Sequence, residues 1–438
     1  MIGRGEPKAF AIAAGVLALS MVGGAFALFA ENHDTVVYLT LAQGALYAFF
    51  AWSLWREKSL LTGRRNRRYL LYLIGLAVFM RAALLFASPH STDICRYIWD
   101  GRVQADGVNP YRYVPADPAL AHLRDPMIYE NVNRKEYAPT IYPPAAQAVF
   151  FLATRFGETV AMMKAAMLAF EALAIFALIE LLKARRLPTA LVSLYALHPL
   201  AVWEIAGSGH VDSVAIAFTL LALLAAEKGH RFASGAALAT GALTKYFPLA
   251  LAPALYRRWD WRMPAAFAAT ALLLYLPYLS VGRKVFGFLG GYAGEELGAG
   301  DGFYLVALLK WMGFGSAAFP VFCALAALTL ISLALRSGFR SNPGKPDLAG
   351  AFSIAVASTV FFSPHYAWYF LWLVPFLCFF PRPSVFWLTL SATALYRLEW
   401  PITLLGASIQ YAPFAALLIL ENLKLFSVKE ASREHARA

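Results

Sequence analysis

Apolar runs of about twenty residues recur along almost the whole chain, separated by short polar links. A helix rises 1.5 Å per residue, so about twenty such residues cross the ~30 Å of a hydrocarbon layer. The pattern predicts spans near 9–29, 35–55, 69–87, 160–182, 189–207, 211–226, 232–245, 248–256, 264–280, 316–335, 348–363, 366–380, 384–398 and 402–420. The expected fold class is all-α, a polytopic transmembrane bundle of about 12–14 spans. The pieces 232–245 and 248–256 are short and broken by Lys245 and Pro248. A re-entrant pair is expected there, tolerable where protein or water satisfies the backbone. The first run follows Arg4 and Lys8 and is longer than the ~7–15 apolar residues of a signal peptide, so it reads as a retained helix.

The polar links carry the topology. Arg64-Arg65-Asn66-Arg67-Arg68, Lys183-Ala184-Arg185-Arg186 and Arg257-Arg258 are basic, and with the N-terminus inside, the links after 55, 182, 226, 256, 335 and 420 all fall on the cytoplasmic side. Two loops then fall outside. Ser88 to Tyr142 holds seven acids (Asp93, Asp100, Asp106, Asp117, Asp125, Glu130 and Glu136), and a Gly-rich loop from about Val281 to Lys310 holds Glu295, Glu296 and Asp301. The apolar stretch after Tyr142-Pro143-Pro144 would invert this topology if it crossed, so it is expected to lie in the outer interface. The chain divides into residues 1–68, two extra spans with a basic link, and residues 69–438, the main module with its loop 88–142.

Composition agrees. The chain has 438 residues, 60% hydrophobic and 15% charged, too little charge to cover a soluble surface. The formal charge of +12 sits in the short links, which argues for membrane topology and against a nucleic-acid partner. Cys95, Cys323 and Cys378 have no metal-ligand spacing, so neither a disulfide framework nor a metal site is expected from them.

Candidate chemistry opens the first outer loop, in Ser91-Thr92-Asp93-Ile94-Cys95-Arg96-Tyr97-Ile98-Trp99-Asp100-Gly101-Arg102. With Thr92 as a cap this stretch is helical, and Asp93, Arg96, Tyr97 and Asp100 share one face. Carboxylates beside a guanidinium and a phenol suit deprotonation of a hydroxyl and binding of a phosphate; an interfacial helix with ordinary ion pairs fits the same spacing. Asp100 lies two turns beyond Asp93 and is placed to hold Arg102 or an acceptor. In the turn Gly207-Ser208-Gly209-His210-Val211-Asp212, His210 and Asp212 can orient hydroxyls or be plain turn polarity, and Glu204 must face the interior. Lys245 at the break needs an anionic partner such as a phosphate, or snorkels. His365, in Ser363-Pro364-His365-Tyr366, reads as a phosphate contact or as part of an aromatic belt. His198-Pro199 reads as a kink.

The run Asp93-Ile94-Cys95-Arg96-Tyr97, then Asp100-Gly101-Arg102 and Gly107-Val108-Asn109-Pro110-Tyr111, resembles the first outer loop of the GT-C glycosyltransferase superfamily. Within it the run is most similar to polyprenyl-phosphate-mannose-dependent α-mannosyltransferases of bacterial envelopes, and more distantly to the GPI mannosyltransferases. The resemblance implies that Asp93 is the catalytic base. Tyr142-Pro143-Pro144 resembles the family's membrane re-entry, and Leu243-Thr244-Lys245 with Pro248 resembles a segment of lipid-linked aminoarabinose transferases in which the lysine lies near the carrier phosphate. The paired acids of many relatives are absent at 93–94, so no cofactor is expected and a divalent metal stays open.

The implied function is transfer of a sugar, mannose by resemblance, from a polyprenyl-phosphate donor to an envelope glycan or glycolipid, in a plasma (inner) membrane with the site facing the periplasm or exterior. Asp93 and Asp100 are the expected catalytic residues. Arg96, Arg102, Lys245 and His365 are expected at the donor phosphate, and His210, Asp212 and Tyr97 at the acceptor. A secondary transporter or lipid flippase is the alternative, although it has less need of so long an outer loop; a non-catalytic assembly partner would leave the outer charges without a task. The topology predicts that, in intact cells, a cysteine at Asp117 is modified by an impermeant thiol reagent and one at Asn66 is not; the reverse labelling would overturn it.

Overall fold

The computed structural model describes residues 9–30, 33–297, 302–340, 345–397 and 403–435. Every regular element among the described residues is helical. Seven helices there are long and apolar enough to cross a bilayer: Ala9–Leu28, Thr35–Arg56, Gly63–Leu85, Val160–Ala184, Arg262–Phe286, Tyr304–Phe339 and Leu404–Leu423. An eighth is split into Thr189–Ala196 and Pro199–Gly207, bent by 62°. Pro199 causes the bend, because it lacks an N–H and its ring blocks straight continuation. The His198 ring stabilises it: Nδ1 accepts the Leu200 N–H at 3.2 Å and Nε2 meets Thr389 Oγ1 at 3.1 Å.

The other expected spans are shorter helices, among them Asp212–Glu227, Arg231–Ala242 and Leu348–Phe362. The break expected within 232–256 falls between Ala242 and Phe247. At two points the helix begins well before the expected boundary. The third span begins at Gly63, because the arginines of the basic link are good helix formers and continue the helix into the polar region. Helix also resumes at Tyr304, inside the second expected loop, on the apolar run Tyr304–Leu309.

The surface of the bundle is that of a multi-pass membrane protein. Only 6% of the apolar window of Arg262–Phe286 and 11% of that of Tyr304–Phe339 is buried within the protein. Leu272, Leu273, Leu328 and Ile331 stand exposed on them. In water such an area costs about 25 cal/mol per Å², whereas against lipid tails the cost vanishes.

The links sort to the two ends of the bundle. Arg185 donates to Glu227 at 2.6 and 3.0 Å and to the Pro346 carbonyl at 3.0 Å. Lys345 lies 3.0 Å from Glu227, Arg231 lies 3.9 Å from Asp260, and the Asp347 N–H bonds the Ala254 carbonyl at 3.0 Å. Four links far apart in sequence therefore meet at one end. The opposite end holds the loop 88–142 and the turns at 207–212, 243–246 and 363–366.

Arg81 and Lys164, both in the interior, have polar partners. Arg81 grips Glu171 through Nε at 3.0 Å and Nη2 at 2.5 Å, and also donates to the Ala196 carbonyl. Lys164, fully buried, donates to the Ala87 and Leu84 carbonyls at 2.7 and 3.3 Å and so satisfies the end of Gly63–Leu85. The first two spans belong to the same core: Tyr47 is fully buried and its hydroxyl donates to the Leu194 carbonyl at 2.5 Å.

Removing one partner of a buried ion pair costs about 3–5 kcal/mol, because the other is left uncompensated. Arg81→Met is expected to lower the melting temperature in detergent sharply, and Arg81→Met/Glu171→Met to recover part of the loss. Additive losses would overturn the pairing.

Candidate active site

We label Asp93–Ala105 α1 and Pro144–Phe156 α2, the two helices of the first loop. Thr92 does not cap α1 with its side chain; the Ser91 hydroxyl instead accepts the Asp93 N–H at 3.3 Å. Gly101 lets the helices touch, since a Cβ there would lie 2.5 Å from the Phe150 carbonyl oxygen. Tyr97 stacks on Phe150 with ring centroids 4.5 Å apart.

The two inner charges of α1 lock this layer together. Arg96 Nε donates to Asp100 at 2.9 Å, and the same guanidinium reaches the Ala138 carbonyl at 3.3 Å. The second Asp100 oxygen accepts from Gln147 of α2 at 2.8 Å. Both residues are nearly fully buried and spent on these bonds. Of the two partners that spacing offered Asp100, Arg102 or an acceptor, Arg102 is not the one it bonds. Arg102 instead bonds Asp125, Glu158 at 2.7 Å and the Leu123 carbonyl at 2.9 Å. Burial alone would raise the Asp125 carboxyl, but Arg102 and the backbone N–H groups of Ile128 and Met127 hold it below its ordinary range.

A different set gathers at the start of α1. Asp93 is half-buried and accepts from Asn133 at 2.7 Å. The turn after the broken span lands beside it. Gly209 has φ +77°, and a Cβ on it would lie 2.4 Å from Ile94 Cδ1, so only glycine lets the turn sit this close. His210 and Asp212, which begins Asp212–Glu227, follow immediately. The His210 ring stacks on Trp368 at 4.2 Å, and its Nε2 lies 3.2 Å from the Glu204 carboxylate. Glu204 sits on a π-helical turn, 202–207, and accepts from Tyr396 at 2.9 Å.

Lys245 completes the set. The Leu243 carbonyl accepts the Ala145 N–H at 2.9 Å, pinning the broken segment to the start of α2. Lys245 then donates to Asp212 Oδ2 at 2.8 Å and lies 4.7 Å above the Tyr369 ring. The charges of Asp93 and Asp212 act on both Tyr97 and His210, and that of Lys245 acts on His210. Burial is the larger effect and lowers His210 to about 4, so the ring is neutral near pH 7.

The structure thus gathers Asp93, Tyr97, His210, Asp212 and Lys245, while Arg96, Asp100 and Arg102 hold the loop. His365 lines a separate cleft with Phe303, Tyr304, Ser363 and Tyr411, and burial lowers it to about 4, leaving it a hydrogen-bonding group rather than a cation. Asn133, Trp368, Tyr369 and Tyr396 also belong to the site. Asn133 carried no sequence signal, and Tyr396 lies within an apolar run. The second loop folds over the first: the Phe288 N–H bonds the Thr140 carbonyl at 3.0 Å, Arg134 pairs with Glu295 at 2.7 Å, and Tyr292 meets the Tyr369 hydroxyl at 2.5 Å. Among the described residues, no three His, Cys, Asp or Glu side chains are grouped as a metal ion would require.

Residues 9–259 match the family model described as alpha-(1->6)-mannopyranosyltransferase, N-terminal domain. The chain belongs to this family. Its resemblance to polyprenyl-phosphate-mannose-dependent mannosyltransferases of the GT-C type is thereby borne out. Searches of curated proteins and of solved structures found no match. The match in this mannosyltransferase takes in both N-terminal spans, α1, α2 and all five gathered residues, whereas His365 lies beyond it.

The bonds of Arg102 predict a structural role. Arg102→Gln is expected to lower the thermal stability of the mannosyltransferase and to leave the KM for its sugar donor within about twofold. A large rise in that KM in folded protein would put Arg102 at the donor instead.

Proposed function

We propose that the protein transfers mannose from a polyprenyl-phosphate carrier to a glycan or glycolipid acceptor at the extracytoplasmic face of the plasma membrane. The observation that carries this reading is the meeting of Asp93, His210, Asp212 and Lys245 at the end of the bundle opposite the basic links. In a family of mannosyltransferases, such a meeting supports a donor phosphate next to Lys245 and an acceptor hydroxyl next to Asp93. The prenyl chain would lie against the apolar outer surface of the bundle, so the membrane itself delivers the donor.

The reaction is a direct displacement. Asp93 takes the proton of the acceptor hydroxyl as its oxygen bonds the anomeric carbon. The bond from that carbon to the phosphate oxygen breaks, and polyprenyl phosphate leaves with the electron pair. The Lys245 ammonium offsets the charge that grows on this oxygen. A β-linked donor gives an α-linked product, in keeping with the linkage in the family's description. The bond from Asn133 orients the Asp93 carboxylate, and its partial exposure leaves an oxygen accessible to the acceptor.

Purified protein given a polyprenyl-phosphate mannose and an α-mannoside acceptor is expected to release polyprenyl phosphate only when the acceptor is present. Asp93→Asn is expected to lose on the order of 10²–10⁴ in single-turnover rate, the usual worth of a general base, with its melting temperature preserved. Asp100→Asn is expected to act mainly on stability, because Asp100 is locked between Arg96 and Gln147. Near-normal turnover by Asp93→Asn would remove it as the base.

A further inference from the structure

Lys245 is already held by an anion of the protein. Asp212 Oδ2 accepts its ammonium at 2.8 Å, and the Asp212 side chain is only 1% exposed. The other oxygen, Oδ1, is buried without a hydrogen-bond partner among the described residues. A buried carboxylate oxygen without a donor is costly, and such an atom beside a reactive site marks a place for a ligand donor. Both ring nitrogens of the neighbouring His210 are likewise buried without a hydrogen-bond partner among the described residues, on a ring stacked against Trp368 with Nε2 3.2 Å from Glu204. A sugar hydroxyl can donate to Asp212 Oδ1 and accept from His210 Nδ1–H.

We propose that the Asp212–Lys245 pair is a lock that makes binding ordered, with the donor first and the acceptor second. This rests on the reading of Lys245 as the donor-phosphate contact. While the donor is absent, Lys245 neutralises Asp212 and holds it in place. An arriving phosphate puts a second anion on the same ammonium, and the binding energy of the prenyl chain draws Lys245 toward it. Asp212 tolerates the release because it begins Asp212–Glu227, where the helix N-terminus favours a carboxylate. Its two oxygens then accept hydroxyls of the acceptor sugar, next to His210 and within electrostatic reach of the Asp93 site. The acceptor is a pyranoside that presents adjacent hydroxyls.

The order prevents a dead-end acceptor complex. A carboxylate that engages sugar hydroxyls only after the phosphate is seated cannot trap an acceptor in an enzyme without donor. It also withholds the hydroxyl partner until the base and leaving group are both in register.

Octyl α-mannoside and polyprenyl phosphate serve as probes on the detergent-solubilised full chain. The wild type is expected to bind the mannoside at least tenfold more tightly when polyprenyl phosphate is present. Lys245→Gln is expected to bind the mannoside without lipid as tightly as the wild type does with it, since the lock is gone. Asp212→Asn is expected to lose mannoside binding in both conditions while binding polyprenyl phosphate at least as tightly as the wild type. Asp212→Asn/Lys245→Gln, which removes both charges, controls for folding by its melting temperature. Equal mannoside binding by the wild type with and without lipid, with lipid binding still dependent on Lys245, would overturn the lock and leave the donor reading intact. Lipid binding unchanged by Lys245→Gln would overturn the donor reading itself.

Discussion

A charge inside a bundle clad in hydrocarbon must be paired, and the pairing of Arg81, Lys164 and Arg96 differs from that of Lys245 in a way that distinguishes scaffold from site. Arg81 and Glu171 satisfy each other and adjacent carbonyls, Lys164 caps a helix end, and Arg96 is closed by Asp100 and two loop carbonyls. These sets are complete within the fold, so their task is to hold it. The Asp212–Lys245 pair is incomplete: one carboxylate oxygen has no partner among the described residues. Incomplete satisfaction in a low dielectric is expensive, and beside Asp93 and His210 it marks a place that a ligand can complete.

Breaks in the helices put that pair where chemistry can reach it. A continuous span would carry His210 and Lys245 past one another inside the hydrocarbon layer. Pro199 and the π-helical turn at 202–207 end one span early, and the break after Ala242 ends another. Both turns then dock on the loop helices, one through Gly209 against Ile94 and the other through the Leu243 carbonyl against Ala145. The Leu194, Ala196 and Leu243 carbonyls at these breaks are satisfied by protein, which is the condition for irregular chain at membrane depth.

The two N-terminal spans take part in this arrangement. Tyr47 reaches the broken span at Leu194, and Gln43 accepts from Trp203 one residue before Glu204 at 2.8 Å. They brace the segment that carries Glu204 and the His210 turn. The family match, over residues 9–259, includes them.

Much of this was legible in the sequence. Apolar runs determined the helical membrane fold, because crossing a bilayer requires ~20 apolar residues whatever their neighbours, and the motif at 93–111 led to the family. Pro199, Pro248 and Gly209 marked the breaks, since each restricts or frees the backbone locally. Partner choice was not legible. Helical spacing placed Asp100 to hold either Arg102 or an acceptor, yet tertiary packing gave Arg102 to Asp125 and Glu158 and gave Asp100 to Arg96 and Gln147. Asn133, Trp368, Tyr369 and Tyr396 entered the site from elements 40 to over 300 residues from Asp93 in sequence. Spacing along one helix determines which residues share a face, while the neighbour that fills that face comes from elsewhere in the chain, and only the assembled bundle supplies it.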